Sequence, residues 1–257
     1  MVGGVVLGGA CALVAFAPAA WLASAVSRGT GERLLLADAR GSVWNGSAVM
    51  VLTGGIGSRD ASALPGRLHW RLSPEGTAIG VGLVQDCCIN GEMHLRVVPG
   101  LGRVRLELGP AAGGASLGQW PAAWLAGLGT PWNTIQPSGS LQLSSPGLAV
   151  EQVQGRWLFT GRADVDMTGM ASRLSTLDVL GSYRVSVVGD GAGGDATRLE
   201  LSTRSGALQL SGSGQWAASR LHFQGQASAE AGSEAILGSL LNIIGRRQGA
   251  VSLISIG

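Results

Sequence analysis

Apolar and polar residues alternate with a period of two along most of the chain after residue 60. In one such segment Leu68, Trp70 and Leu72 are separated by His69 and Arg71. The pattern recurs at 93–97, 104–108, 141–143, 199–203, 208–210 and 221–223. Because successive side chains of a β-strand point to opposite faces, each segment has one apolar and one polar face. Glycine and serine separate the segments, so the sequence predicts a mainly β protein with a mostly antiparallel, half-solvated sheet.

Three short segments interrupt this alternation and are predicted to be helices. They are 118–129, 170–181 and 233–245. In the third, the apolar residues at helical spacing are Ile236, Leu237, Leu240, Leu241 and Ile244. Ser233 is its expected N-cap and Gly245 its expected C′ residue. We expect this apolar stripe to dock on the apolar face of the sheet.

The segment GSVWNGSAV contains the strongest hairpin signal of the chain. Asn45 and Gly46 lie between the extended segments 34–43 and 48–53, and both residues accept the positive φ of a type I′ turn. The sequence therefore predicts a hairpin turn at Asn45-Gly46. Trp44 is interpreted as an aromatic residue that packs this hairpin onto the base of the sheet near the membrane, with ligand stacking as the alternative.

Residues 1–27 are predicted to be a transmembrane anchor. Residues 2–26 carry no charge, and a helix of that length measures about 38 Å, enough to cross a bilayer core with tilt. Trp21 falls near the far end, where interfacial aromatic residues lie, and Pro18 is tolerated within a membrane helix. A cleaved signal peptide ending at Ala-Ser-Ala, residues 23–25, is the alternative. In either case, the chain after the apolar run is expected outside the cytoplasm.

The remainder, residues 28–257, is predicted to form a β-rich domain. The Gly/Pro-rich stretch 109–138 is its candidate boundary between two lobes, 28–110 and 138–257. The formal net charge is only +2 and is evenly spread along the chain. This balance does not indicate nucleic-acid binding.

Residue types that carry out catalysis are few and scattered. The three histidines, His69, His94 and His222, fall at outward positions of alternating strands, which favours solvated side chains over ligands or bases. Asp164 and Asp166 share a strand face without a third ligand nearby in sequence, so a polar face is favoured over acid/base chemistry. The GDGAGGD loop lacks the spacing of an EF-hand or a P-loop and is interpreted as a hairpin loop. We therefore expect no enzymatic activity, no cofactor and no metal site.

Two pairs of neighbouring residues have two interpretations each. Cys87 and Cys88 are adjacent, and two small apolar residues in a strand are favoured over a vicinal disulfide. Arg246 and Arg247 directly follow the predicted helix 233–245. They either complement the helix dipole or meet acidic partners or lipid headgroups, and these interpretations are equally favoured.

A series of segments along nearly the whole chain carries a family resemblance. GSVWNGSA matches a G-x-x-W-x-G-x-A pattern, and LPGRLHWRL, PSGSLQLS, LGSYRVSVVG, STRSGALQLSGSGQW and LLNIIGRRQGAVSLISIG follow in order. In this order they resemble the type II secretion system protein N family of Gram-negative bacteria, also called the general secretion pathway N family. The absence of basic residues before the apolar run departs from the family. The family-motif residues, with a structural or partner-contact role, are Trp44, Gly46, Gly181, Tyr183, Gly206, Gly245, Arg246 and Arg247.

The resemblance implies an accessory single-pass protein of the inner membrane with most of its chain in the periplasm. It would support protein export across the outer membrane, with the inner-membrane platform and the secretin as partner subunits. The family also looks similar to AsmA-like periplasmic proteins, which build a curved sheet with an apolar groove and are linked to lipid transport. The resemblance thus implies a curved, half-barrel or groove-like sheet, and lipid binding or transfer is the alternative function.

Overall fold

A computed structural model describes residues 14–110, 116–153, 156–191, 197–217 and 220–257. The strands are β1 Leu34–Gly41, β2 Asn45–Thr53, β3 Ala61–Ala63, β4 Leu68–Glu75, β5 Ala78–Val84, β6 Met93–Gly100, β7 Arg103–Leu108, β8 Gly118–Pro121, β9 Pro137–Val153, β10 Arg156–Ser172, β11 Gly181–Asp190, β12 Arg198–Ser205, β13 Leu208–Ala217, β14 Arg220–Ala229, β15 Arg246–Gln248 and β16 Val251–Ile256. The helices are α1 Ala19–Gly29, the 3₁₀ helix Ala122–Leu128, α2 Trp132–Ile135 and α3 Glu234–Ile244.

All the strands belong to one open antiparallel sheet. Its order is β1-β2-β4-β5-β6-β7-β9-β10-β11-β12-β13-β14-β16-β15, while β3 pairs with β2 and β8 with β9. β7 pairs directly with β9, so the sheet is continuous across the stretch 109–138. Each segment with a period of two lies within a strand, which confirms the prediction of a mainly β, antiparallel fold with few helices.

The alternation of residues gives the sheet one continuous apolar face. Leu72 lies opposite Val81, Val81 opposite Leu95, and Leu95 opposite Leu108, so the apolar residues of neighbouring strands share a face. The same face continues through β9, β10 and β11, with Leu141 opposite Met167 and Met167 opposite Tyr183. The opposite face is polar, and all three histidines on it are exposed as predicted.

Buried clusters lie on one part of this apolar face. Under α3 the buried residues are Ala122, Met170, Leu180, Tyr183, Leu208, Ala227, Leu237, Leu240 and Leu241. A second cluster comprises Leu68, Ile89, Met93 and Leu117, and a third joins α1 to the sheet through Ala19, Ala48 and Trp70. The apolar stripe of the third predicted helix therefore docks on the sheet, as expected.

Two helix predictions need correction. The segment 170–181 is not helical, because β10 continues to Ser172 and turns follow it. In 118–129 only Ala122–Leu128 is helical, since 118–121 form β8 against β9. Residues 118–121 and 170–172 pair with neighbouring strands, and this tertiary pairing overrides the local helical preference.

The predicted N-terminal anchor is described only in part. Residues 1–13 lie outside the described residues, and α1 begins at Ala19 and packs on β1. Within the described part of the chain, none of the helices has the length and apolar character needed to cross a membrane. The side chains of Phe16 and Trp21 are 83% and 55% exposed.

Candidate functional site

The covered part of the apolar face lies under α3 and the 3₁₀ helix. Leu237, Leu240 and Leu241 of α3 are completely buried. On the outer side of the same helix, Ile236 and Ile243 are 43% and 45% exposed. The helix is thus held to the sheet by one narrow apolar stripe, in the geometry expected for an amphipathic helix.

Three of the family-motif residues meet beneath α3. The hydroxyl group of Tyr183 donates a hydrogen bond of 3.0 Å to the carbonyl oxygen of Leu208, and burial raises the pKa of the Tyr183 phenol. A Cβ atom on Gly181 would lie 2.8 Å from the Tyr183 hydroxyl oxygen. Gly206 has a φ of +120°, and a Cβ atom there would collide with the backbone of Gly181. These close approaches place the residues in a structural role, since they hold β11 against β13 under the helix.

The open apolar face is the part of the same face outside the buried clusters. It comprises Ile79, Val81, Leu95, Val97, Val104, Leu106, Val150, Phe159, Val187, Leu199 and Trp216. Val104 and Leu106 are 49% and 39% exposed. The helices pack instead on β1–β3, on β9, on β14–β16 and on the parts of β10, β11 and β13 that belong to the cluster under α3. The other residues of this face are half-buried, and a contiguous apolar surface that stays partly exposed is typical of an interaction site.

Two aromatic rings converge over the open apolar face. The ring centroids of Phe159 and Trp216 lie 5.3 Å apart, although β10 and β13 are separated by two other strands. The indole Nε1 of Trp216 is buried and has no hydrogen-bond partner among the described residues. A buried N–H group normally requires an acceptor, so this donor is left unsatisfied within the described part of the chain. Both residues occupy inward positions of their strands, but the sequence carries no signal that brings their two rings together.

Charged residues on the polar face are engaged in ion pairs. The guanidinium of Arg184 binds both carboxylate oxygens of Asp166, at 2.6 and 2.7 Å. The Arg162 guanidinium hydrogen-bonds to Asp164 and lowers the pKa of that carboxyl group. In the part of the chain that the structure describes, no group of three or more His, Cys, Asp or Glu side chains could hold a metal ion. The GDGAGGD loop lies largely outside the described residues.

The first hairpin turns earlier than predicted. Ser42 donates its backbone N–H to the carbonyl oxygen of Asn45 at 2.9 Å, which places the turn at Val43 and Trp44. Asn45 and Gly46 are the first residues of β2, so the predicted Asn45-Gly46 turn is wrong. A Cβ atom on Gly46 would lie only 2.7 Å from a carbonyl oxygen and 2.5 Å from a ring carbon of the neighbouring tryptophan on β4. The glycine is therefore required by the close approach of that indole ring, with no positive φ involved.

Trp44 attaches the N-terminal segment to this hairpin. Its indole N–H donates a hydrogen bond of 2.8 Å to the carbonyl oxygen of Val14. The neighbouring Val43 donates its backbone N–H to Ala17 at 2.8 Å. Trp44 thus lies at the junction of the sheet with the segment that precedes α1. Its predicted packing role near a membrane stays a prediction.

The C-terminal motif residues form an edge strand. Gly245 has an extended φ of −162°, so it is not the left-handed C′ residue predicted for the helix. Arg246 and Arg247 lie beyond the helix in β15, and both side chains are exposed. The backbone of β15 pairs with β16. The last turn of α3 itself contains no basic residue, and both interpretations of the arginine pair, as a complement to the helix dipole or as a contact with acidic partners or lipid headgroups, stay predictions. Arginine on a short edge strand hinders unspecific edge-to-edge pairing.

The two adjacent cysteines also differ from the favoured interpretation. Cys87 and Cys88 are joined by a disulfide bond and lie in the turn between β5 and β6, not in a strand. The alternation of β5 ends before them, and sequence alone gives no signal for which pair of cysteines is bonded.

The fold defines a class of antiparallel β-sheet protein in which helices cover part of one apolar face. A comparison with family models matches residues 32–253 to type II secretion system (T2SS), protein N. The chain belongs to this family, so it is a component of the type II secretion system, with other secretion subunits as its partners. No match was found among curated proteins or among solved structures.

Proposed function

We propose that this protein is an accessory inner-membrane component of the type II secretion system. It supports protein export across the outer membrane through periplasmic contacts with other subunits, namely the inner-membrane platform and the secretin. The observation that carries the proposal is the family match, which spans residues 32–253. The protein has no catalytic function in this proposal and acts as a scaffold.

The C-terminal sheet edge supports contact with a partner. β15 pairs only with residues 251–253 of β16. On that side, residues 254–256 have no neighbouring strand in the described part of the chain, and Ile256 is 53% exposed. An extended segment of another subunit can add to such an edge through main-chain hydrogen bonds.

Site-specific photocrosslinking tests this contact in membranes that contain the assembled secretion system. A photoreactive amino acid replaces Ile256 in the full-length protein, and a matched control replaces Leu101, which is fully exposed at the turn between β6 and β7. We expect a crosslink to a platform subunit or to the secretin from position 256 and none from position 101. Equal labelling from both positions, or no crosslink to any secretion subunit, contradicts the scaffold function.

The open apolar face favours a second function, which is phospholipid binding. Val104 and Leu106 expose apolar surface next to strands of the covered part. Convergence of the Phe159 and Trp216 rings over this face supports a curved, groove-like sheet that would hold acyl chains.

Native mass spectrometry of the full-length, detergent-extracted protein tests the second function. We expect phospholipid to co-purify with the wild type, and Leu106→Glu to reduce the bound fraction about tenfold because it places a charge where acyl chains would lie. Ile236→Glu, on the exposed side of α3, is the matched control and should retain lipid. If the wild type carries no phospholipid, or if both variants behave alike, the apolar face does not bind lipid and the scaffold function stands alone.

A further inference from the structure

The Cys87–Cys88 disulfide closes a turn with one exposed and one buried half. Cys87 is exposed, whereas Cys88 is only 4% exposed. The backbone N–H groups of Cys88 and Ile89 both donate to the carbonyl oxygen of Gln85, at 3.2 and 3.1 Å. The disulfide ring includes the peptide bond between the two cysteines, so the bond restricts the backbone torsions of both residues.

This turn also binds the segment that leads into β8. The carbonyl oxygen of Cys88 accepts the backbone N–H of Gln119 at 2.7 Å. Asn90 donates its backbone N–H to Leu117 at 3.0 Å and its side-chain amide to the carbonyl oxygen of Ser116 at 3.0 Å. Residues 116–119 are therefore held between the disulfide turn on one side and β9 on the other.

The same segment positions part of the cover over the apolar face. Leu117 is 3% exposed in the second buried cluster. Three residues after Gln119, Ala122 begins the 3₁₀ helix and is completely buried in the cluster under α3. Only a few backbone residues separate the segment bound by the disulfide turn from this helix, so a conformational change in the turn can displace the helix.

We propose that Cys87–Cys88 is a redox-active site that is opened by a dithiol reductant, and that its opening loosens residues 116–119. A thiolate of the dithiol attacks the exposed sulfur of Cys87, the Cys87–Cys88 bond breaks, and Cys88 leaves as a thiolate that takes a proton. The second thiol of the reductant then attacks the mixed disulfide and releases Cys87. Two electrons and two protons pass to the protein, and the dithiol becomes a disulfide.

Alkylation and peptide mapping test the bond in the full-length protein, purified without reductant and carrying Cys11→Ser. We expect no label from iodoacetamide at Cys87 or Cys88 before treatment with dithiothreitol, and one label on each afterwards. Label on both cysteines without reductant overturns the proposal, and so does a bond that resists dithiothreitol in the folded protein. In the wild type, a peptide that joins Cys11 to Cys87 or Cys88 overturns it as well.

Hydrogen exchange tests the consequence of opening. We expect reduction to raise the exchange rates of the Gln119 and Asn90 amides about tenfold, because both hydrogen bonds depend on the turn. The Cys87→Ser/Cys88→Ser variant should show the raised rates with and without dithiothreitol. The amide of Tyr183 in β11 is the internal control and should not change. Unchanged exchange at 116–119 after complete reduction would overturn the coupling, whatever the outcome for secretion or lipid binding.

Discussion

The covered and the open part belong to the same face of one sheet, but helices pack over the first while residues of the second stay exposed. Tyr183 of the covered part is only 3% exposed, while Val104 and Leu106 of the open part are 49% and 39% exposed. Both parts arise from the same alternation of residues, so alternation determines the sheet but not what lies over it. The covered part gains free energy from burial, whereas the open part retains exposed apolar surface, which is typical of a binding surface.

The largest effect is expected from charges placed under α3. Leu240→Asp with Leu241→Asp would bury two carboxylates in the cluster that holds the helix to the sheet. Because buried charges without partners are very costly, we expect the free energy of unfolding to fall by more than about 5 kcal/mol, or the helix to detach from the sheet. Protease resistance and thermal unfolding of the full-length protein measure this.

The outer side of the same helix provides the control. Ile236→Asp with Ile243→Asp adds the same two charges at positions that are 43% and 45% exposed. We expect a change within about 1 kcal/mol, since surface substitutions have small effects. If both double variants were equally stable, α3 would not be docked in solution and the distinction between covered and open parts would fail.

A truncation in the covered part should have the next largest effect. Leu237→Ala leaves a cavity at a completely buried position and should lower the free energy of unfolding by about 2–5 kcal/mol. Denaturant unfolding gives this value directly. Leu106→Ala removes the same atoms from the open part, where we expect a loss below about 1 kcal/mol. Equal losses at the two positions would indicate that some further element covers the open part.

Removing one hydrogen bond beneath α3 should have a smaller effect. Tyr183→Phe deletes the donor to the carbonyl oxygen of Leu208 and leaves that oxygen buried. The expected loss is about 1–3 kcal/mol, measured by denaturant unfolding. A loss near zero would mean that water replaces the hydroxyl group, and that this part of the core is less closed than the structure indicates.

Strands and the long apolar helix were predictable because their signals extend over many residues. The segment 68–72 alternates over five positions and lies in β4, and the stripe from Ile236 to Ile244 covers more than two helical turns. By contrast, residues 170–172 of the segment 170–181 belong to the seventeen-residue strand β10 and pair with neighbouring strands. Tertiary pairing decides such short segments, and the local sequence carries no information about it.

Features of the site that depend on contacts between distant residues could not be predicted. The local sequence predicts that Gly46 is a turn residue, whereas a glycine is required there because the indole ring of Trp70 lies against it. The convergence of Phe159 and Trp216 depends on the arrangement of four strands. Arg246 was assigned either to a helix end or to a partner contact, and the edge strand that contains it is defined only by pairing with β16.

The smallest effect on stability is expected in the open apolar face. Val104→Ser with Leu106→Ser makes part of this face polar, and the free energy of unfolding should change by less than about 0.5 kcal/mol because both residues are already substantially exposed. Met93→Ser, on the neighbouring strand β6, is the matched control, since Met93 is only 8% exposed in the second buried cluster. The Met93→Ser substitution should lower the free energy of unfolding by about 2–4 kcal/mol, because it removes buried apolar surface and leaves a cavity. A double variant as unstable as Met93→Ser would show that Val104 and Leu106 are buried in solution, and the open face would then be part of the core. A stable double variant leaves an apolar surface that contributes little to folding, and its retention must then be explained by what it binds.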